Sequence, residues 1–174
     1  MKSLLQKWIN PRLLHRSQIF FLGAAVSFSL INLTSSPTLA NLQKNAVEQT
    51  IENLKNSEQR WIQVDLSAQN LTAWEGNKPV YAVKISSGKK STPTLTGSFK
   101  IQSKLKTTRM RGRGYDVPNV PHAMFYDGNY GIHGAYWHKS FGTPVSHGCV
   151  NLAPDHAKWL FNWASVGTPV IVQK

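Results

Sequence analysis

At 174 residues, 41% of them apolar, the chain is long enough for one ordinary domain plus a short extra segment. Six Trp, seven Phe and five Tyr exclude a solvated, disordered tail as the main state. The net charge of +12 favours anionic partners but also serves solubility, so charge alone ranks no partner, and a single cysteine excludes an internal disulfide.

The first 40 residues carry an export pattern. Lys2, Lys7, Arg12 and Arg16 form a basic lead, an apolar run follows from Ile19 to Leu33, and Thr38-Leu39-Ala40 places a small residue at a cleavage position. The run is short against the ~20 residues that span a bilayer. It predicts a signal peptide over residues 1–40. The competing readings are an uncleaved signal anchor, which alone would attach the chain to a membrane, and a buried core helix. Cleavage would remove four of the 20 Lys+Arg and none of the eight Asp+Glu, leaving +8 on residues 41–174. The predicted location is therefore outside the cytoplasm, in the periplasm or cell envelope, where positive charge suits an anionic envelope surface and not nucleic acid.

Residues 41–59 read as a helical linker or packing helix. Leu42, Ala46, Val47, Ile51 and Leu54 recur at spacings of three to five, without Gly or Pro. From Trp61 the period shortens. Residues 61–66, 71–75, 79–86 and 97–102 read as short strands in a meander, with turn chemistry between them and a loop over 88–93. No strand–helix alternation points to a doubly wound fold. Lys104, Lys106, Arg109, Arg111 and Arg113 make residues 103–121 a long basic loop, read as a lid or as a solvated surface segment. Residues 123–126 and 130–133 flank Asp127-Gly128-Asn129, a hairpin signal. Pro154 and Asp155 open a helix with Trp159, Leu160 and Trp163 on its apolar face, and residues 168–172 close the chain as a strand. His122, His138 and His156 read as surface or capping residues.

The chemistry concentrates in Ser146-His147-Gly148-Cys149-Val150-Asn151, with His133 upstream in Gly131-Ile132-His133-Gly134. A thiol becomes a nucleophile when a base is in reach. Gly148 allows a sharp turn whose backbone N–H groups converge on one point, as an oxyanion requires. His147, two residues before Cys149, shares a face with it in an extended segment, but His133 on a separate strand end is better placed to meet the thiol across the fold. No Asp or Glu is near either histidine in sequence, so a backbone carbonyl is the expected orienting group. Two other readings stand beside this one. Cys149 is an inert buried thiol in the first. In the second, His133, His147 and Cys149 ligate zinc, against which no fourth ligand is evident.

His133 followed, after a loop, by the Ser-His-Gly-Cys-Val-Asn block resembles the signature of the L,D-transpeptidase catalytic domain family (YkuD type). The resemblance covers about residues 60–173. It implies a mainly β domain, a β-sandwich or barrel-like catalytic domain over residues 60–174, with one C-terminal helix and a short N-terminal helix. It also implies cysteine acyl transfer on the tetrapeptide stems of peptidoglycan. Cys149 attacks the carbonyl of the third residue, D-Ala leaves, and the thioester passes to an amine to form a cross-link. By the same resemblance His133 is the base, His147 belongs to the catalytic motif, and Gly134 lends its carbonyl to orient His133. Gly148 and Cys149 supply oxyanion N–H groups, and Tyr115, Ser146 and Asn151 contact substrate. No cofactor and no metal is implied. The alternatives are an L,D-carboxypeptidase that uses water as acceptor and a wall-binding module without turnover.

Overall fold

The computed structural model describes residues 38–174. The signal-peptide reading falls almost wholly on residues outside this range. Helix α1 (Leu39–Lys55) is followed by strands β1 (Arg60–Asp65), β2 (Asn70–Glu75), β3 (Lys78–Lys84), β4 (Gly97–Lys100), β5 (Ser103–Gly112), β6 (Tyr115–Asp127), β7 (Tyr130–Gly134) and β8 (Val150–Leu152). Helix α2 (Pro154–Trp163) and strand β9 (Pro169–Gln173) complete the described chain. The protein is mainly β, as its sequence pattern predicts. No helix among the described residues is long and apolar enough to cross a membrane.

The strands form two mixed sheets, ordered β3-β2-β1-β9-β4 and β5-β6-β7-β8. In the first, β1 and β9 are parallel neighbours, with Ile62 opposite Val170 and Val64 opposite Val172. Their side chains alternate between two apolar surroundings. Ile62, Val64, Val170 and Val172 enter the main core with Leu71, Ile132, Val150 and Leu160. Trp61 and Ile171 point to the other face, where Ile51 and Leu54 of α1 cover them. Both faces of this strand pair are therefore buried, as in the continuous apolar strands of parallel sheets. Each such side chain contributes roughly 1.5–3 kcal/mol by leaving water.

The segment 103–121 is not a loop. It forms β5 and the first half of β6, paired antiparallel from Gly112↔Tyr115 to Ser103↔Phe125. Polar side chains concealed the strand. Leu105, Arg109 and Arg111 face solvent, and beyond Lys104 only Thr108 and Met110 of β5 are half-buried. Pro118 and Pro121 argue against a central strand in the sequence. This part of β6 pairs only with β5, so one side is an open edge where a missing N–H costs nothing.

Helix α2 has Pro154 in its first turn and Asp155 at its positive end, but no basic residue in its last turn. Lys104 of β5 supplies that charge from another element. Its ammonium donates to the carbonyls of Phe161, at 2.6 Å, and Ala164, and lies 4.4 Å from the Phe161 ring centre. Burial lowers the Lys104 pKa. This contact fastens the root of the β5–β6 hairpin to the helix.

Candidate active site

Strand β7 lies between β6 and β8, and its parallel register sets Ile132 opposite Val150 and His133 opposite Asn151. With side chains alternating along each strand, Ile132 and Val150 enter the core, while His133 and Asn151 share the other face. That face is the floor of a cleft of about 340 Å³. The Ser146–Cys149 turn forms one wall, the connecting segment bearing Trp137, His138, Ser140 and Val145 a second, and Met110, Tyr115 and Val117 of the β5–β6 hairpin a third. A cleft of this size suits a short peptide segment.

Cys149 sits immediately before β8. The turn ahead of it is tied by Ser146, whose hydroxyl accepts from the Gly148 N–H at 3.0 Å and donates to the Cys149 carbonyl at 2.6 Å. Gly148 has φ +122°, a left-handed conformation, and a Cβ there would approach the Tyr130 ring to 2.8 Å. Only glycine fits this corner without strain. The Cys149 thiol donates to the Asn129 carbonyl at 3.5 Å. Burial pushes the thiol pKa up, and a hydrogen bond from the Gly131 backbone partly opposes the rise.

His133 is 2% exposed. Its Nδ1 donates to the carbonyl of Gly134 at 3.0 Å, which leaves the Nε2 lone pair as its acceptor. Burial pushes its pKa down to about 4. Burial thus acts on both groups in the direction of their uncharged forms.

The remaining sequence-selected residues divide by place. His147 lies under Tyr115, ring centroids 4.6 Å apart and planes inclined by 29°, so the hairpin tip stacks over the residue two before Cys149. Ser146, His147, Tyr115 and Asn151 all line the cleft. The Gly148 N–H is tied to the Ser146 hydroxyl, so among the described residues the N–H groups of His147 and Cys149 are the donors of the turn without a protein acceptor.

His138 is half-exposed and takes a local hydrogen bond of the capping kind, and it also faces the candidate site. It lines the cleft, where its Nδ1 accepts from the Ser140 N–H at 3.2 Å, and the Asn151 carboxamide lies 2.9 Å from its Nε2. With Nδ1 accepting, the ring proton sits on Nε2, which calls for the amide oxygen of Asn151 on that side. Only the Trp137-His138 pair within a polar connection hinted at this position in the sequence. His156 hydrogen-bonds the Tyr81 hydroxyl at 2.7 Å and His122 packs on Phe161, both away from the cleft. Among the described residues, no group of three His, Cys, Asp or Glu is disposed to hold a metal ion.

Comparison with known proteins identifies the same region. Residues 59–172 match the model of the L,D-transpeptidase catalytic domain family, YkuD. L,D-transpeptidase 1 of Mycobacterium tuberculosis is 34% identical over 119 residues, 62% of this chain and 47% of the relative. The chain thus spans about half the length of the curated relatives it matches. Among solved structures, an L,D-transpeptidase from Mycobacterium smegmatis superposes with TM-score 0.63 at 32% identity, over 67% of this chain and 59% of that one. The catalytic domain of the Enterococcus faecium L,D-transpeptidase gives TM-score 0.61 at 34% identity, over 67% of this chain and 98% of that one.

Proposed function

Because the chain belongs to the L,D-transpeptidase catalytic domain family, we propose that it is a cysteine acyltransferase that cross-links peptidoglycan stem peptides. The observation that carries this reading is the opening of Cys149 and an Nδ1-tethered His133 onto one cleft. One solved relative, L,D-transpeptidase 3 of Mycobacterium tuberculosis, holds a faropenem-derived adduct, which accords with an acyl-accepting site in the family. Residues 60–174 form the proposed catalytic domain, residues 41–59 a helix that packs on it through Ile51 and Leu54 and not a free linker, and residues 1–40 the export segment that delivers it to the cell envelope.

In the first half-reaction, Sγ of Cys149 attacks the carbonyl carbon of the third stem residue while the thiol proton moves to Nε2 of His133. The Gly134 carbonyl keeps Nδ1–H in place and stabilises the imidazolium that forms. The carbonyl oxygen gains charge beside the Cys149 N–H. As the tetrahedral centre collapses, the C–N bond to D-Ala breaks, the proton passes from Nε2 to the departing amine, and a thioester remains. In the second half, an acceptor amine attacks the thioester. It loses a proton to His133, and Cys149 leaves as a thiolate that takes that proton back. Tyr115 and Met110 on the hairpin and Trp137 opposite flank the cleft with apolar surface, and the acceptor in this reading is an amine.

Intact mass spectrometry of the protein incubated with disaccharide-tetrapeptide tests the reading. An acyl adduct formed with loss of D-Ala, absent in folded Cys149→Ala, is the expected result. Dimeric product in the same tube supports transpeptidation, and tripeptide alone marks a carboxypeptidase. A folded wild-type protein that yields neither adduct nor product sinks the proposal.

A further inference from the structure

The nucleophile turn is gripped by the segment between β3 and β4, read from sequence as a plain loop. Thr94 is 6% exposed, and its hydroxyl is fully used: it donates to the Gly148 carbonyl at 2.8 Å and accepts from the Gly88 N–H at 2.9 Å. The same segment holds Ser146, whose carbonyl accepts from the Lys89 N–H and from the Thr92 hydroxyl, each at 3.1 Å. The two segments touch because Gly88 has no side chain, since a Cβ there would lie 2.9 Å from the Gly148 Cα.

The Gly148 carbonyl and the Cys149 N–H belong to one trans peptide and point in opposite directions. Holding the carbonyl on Thr94 therefore aims the Cys149 N–H away from residues 88–94. None of those residues lines the cleft, whereas Cys149 does. The Gly148 N–H is spent on Ser146, and among the described residues the Cys149 N–H has no backbone acceptor. Glycine at 148 widens the ψ range open to that peptide, and the Thr94 hydrogen bond narrows it again.

We propose that Thr94 is a positioning residue for acyl transfer: its hydroxyl fixes the Gly148–Cys149 peptide so that the Cys149 N–H faces the developing oxyanion. The inference rests on the cysteine acyl-transfer reading given above. Thr94 touches neither substrate nor thiol and acts through the peptide it holds.

Two reactions of the same thiol separate this role from a general structural one. Acylation by the tetrapeptide donor passes through an oxyanion, whereas alkylation by iodoacetamide does not. In Thr94→Val, which keeps the shape and removes the hydroxyl, acylation falls roughly ten- to hundredfold with alkylation nearly unchanged. Thr94→Ser restores acylation to near the wild-type rate. A folded Thr94→Val with an unaltered ratio of acylation to alkylation overturns the assignment, as does a parallel fall in both. If Thr94→Val does not fold, Thr94→Ala is read by the same ratio, and failure of both to fold makes Thr94 structural and overturns the proposal. A wild-type protein that is alkylated but never acylated overturns the parent reading and this one together. An acylated wild type beside an unaltered variant ratio overturns only the role of Thr94.

Discussion

The fold contains two parallel strand pairs, β1–β9 and β7–β8, and they put the same geometry to opposite uses. In β1–β9 the paired positions Ile62↔Val170 and Val64↔Val172 are all fully buried, and the opposite face, with Trp61 and Ile171, is sealed by α1. Ile62, Val64, Val170 and Val172 on one row and Trp61 and Ile171 on the other all add apolar burial, while Gln63, opposite Ile171, is half-buried and accepts from Trp74 Nε1. In β7–β8 only one row does so, Ile132↔Val150, and the next pair is His133↔Asn151. A buried polar group costs about 1–3 kcal/mol when left unpaired. The structure avoids most of this cost by giving His133 the Gly134 carbonyl and placing His138 against Asn151. One pair holds the sandwich together, and the other gives up half of its apolar surface to place two polar side chains beside a thiol.

Substitutions can break this contrast, and the largest effect belongs to the polar row. His133→Gln removes the proposed base while keeping a polar side chain of similar reach. Acyl transfer to the tetrapeptide should fall by about 10²–10⁴, measured by stopped-flow or quenched mass spectrometry. A variant within tenfold of wild type would remove His133 from the mechanism.

The apolar pair should respond in stability instead. Ile62→Ala leaves a cavity beside Val170 and should cost about 2–5 kcal/mol in urea-induced unfolding. The fraction that remains folded should keep its rate of thioester formation. A loss of rate without loss of stability would contradict the division of roles between the two pairs.

Acid should sharpen the comparison. The unfolded chain takes up a proton on His133 near its ordinary pKa of 6.5, whereas the folded chain does so only near about 4. The unfolded state therefore binds more protons between these values, and stability falls as pH falls through that window before levelling below it. The contribution of this one ring is about 3 kcal/mol. Comparing urea unfolding at pH 7 and pH 4 for wild type and His133→Gln isolates it, and an equal acid loss in both would show that His133 is not its source.

The smallest effect lies on the outer face of the hairpin. Asp116 accepts from the Nε (2.7 Å) and Nη2 (2.5 Å) of Arg109 and lies 3.6 Å from Arg111, all on exposed side chains. The guanidinium beside Asp116 holds its carboxyl below the usual range, yet water and salt screen the pair. Asp116→Asn should leave the thermal midpoint unchanged within error. A clear drop would show that the hairpin depends on this ion pair and not on its backbone ladder.

The motif residues were legible as a set because their types are chemically rare together: one thiol, a glycine before it, and histidines on either side of a short connection. The β meander from β1 to β3 was legible through its period. Two parts were not. The β5–β6 hairpin carries lysine and arginine on its exposed face, so its alternation does not follow hydrophobicity, and only the pairing of Gly112 with Tyr115 and of Thr107 with Pro121 reveals it. His138 lies five residues after His133, a spacing that marks no face of a helix or strand, and only the folded connection turns it into the cleft.

By itself, the sequence determined the mainly β class and the family, and it put forward Cys149 and His133 as the candidate pair. These rest on local pattern and on residue identity, which survive without a fold. The tertiary structure alone decided that the Gly148 N–H is tied to Ser146, that the Thr94 hydroxyl reaches the Gly148 carbonyl, and that burial raises the thiol pKa and lowers that of the imidazole. Peptide direction and desolvation depend on what packs from distant parts of the chain, and Thr94 and Gly148 are 54 residues apart.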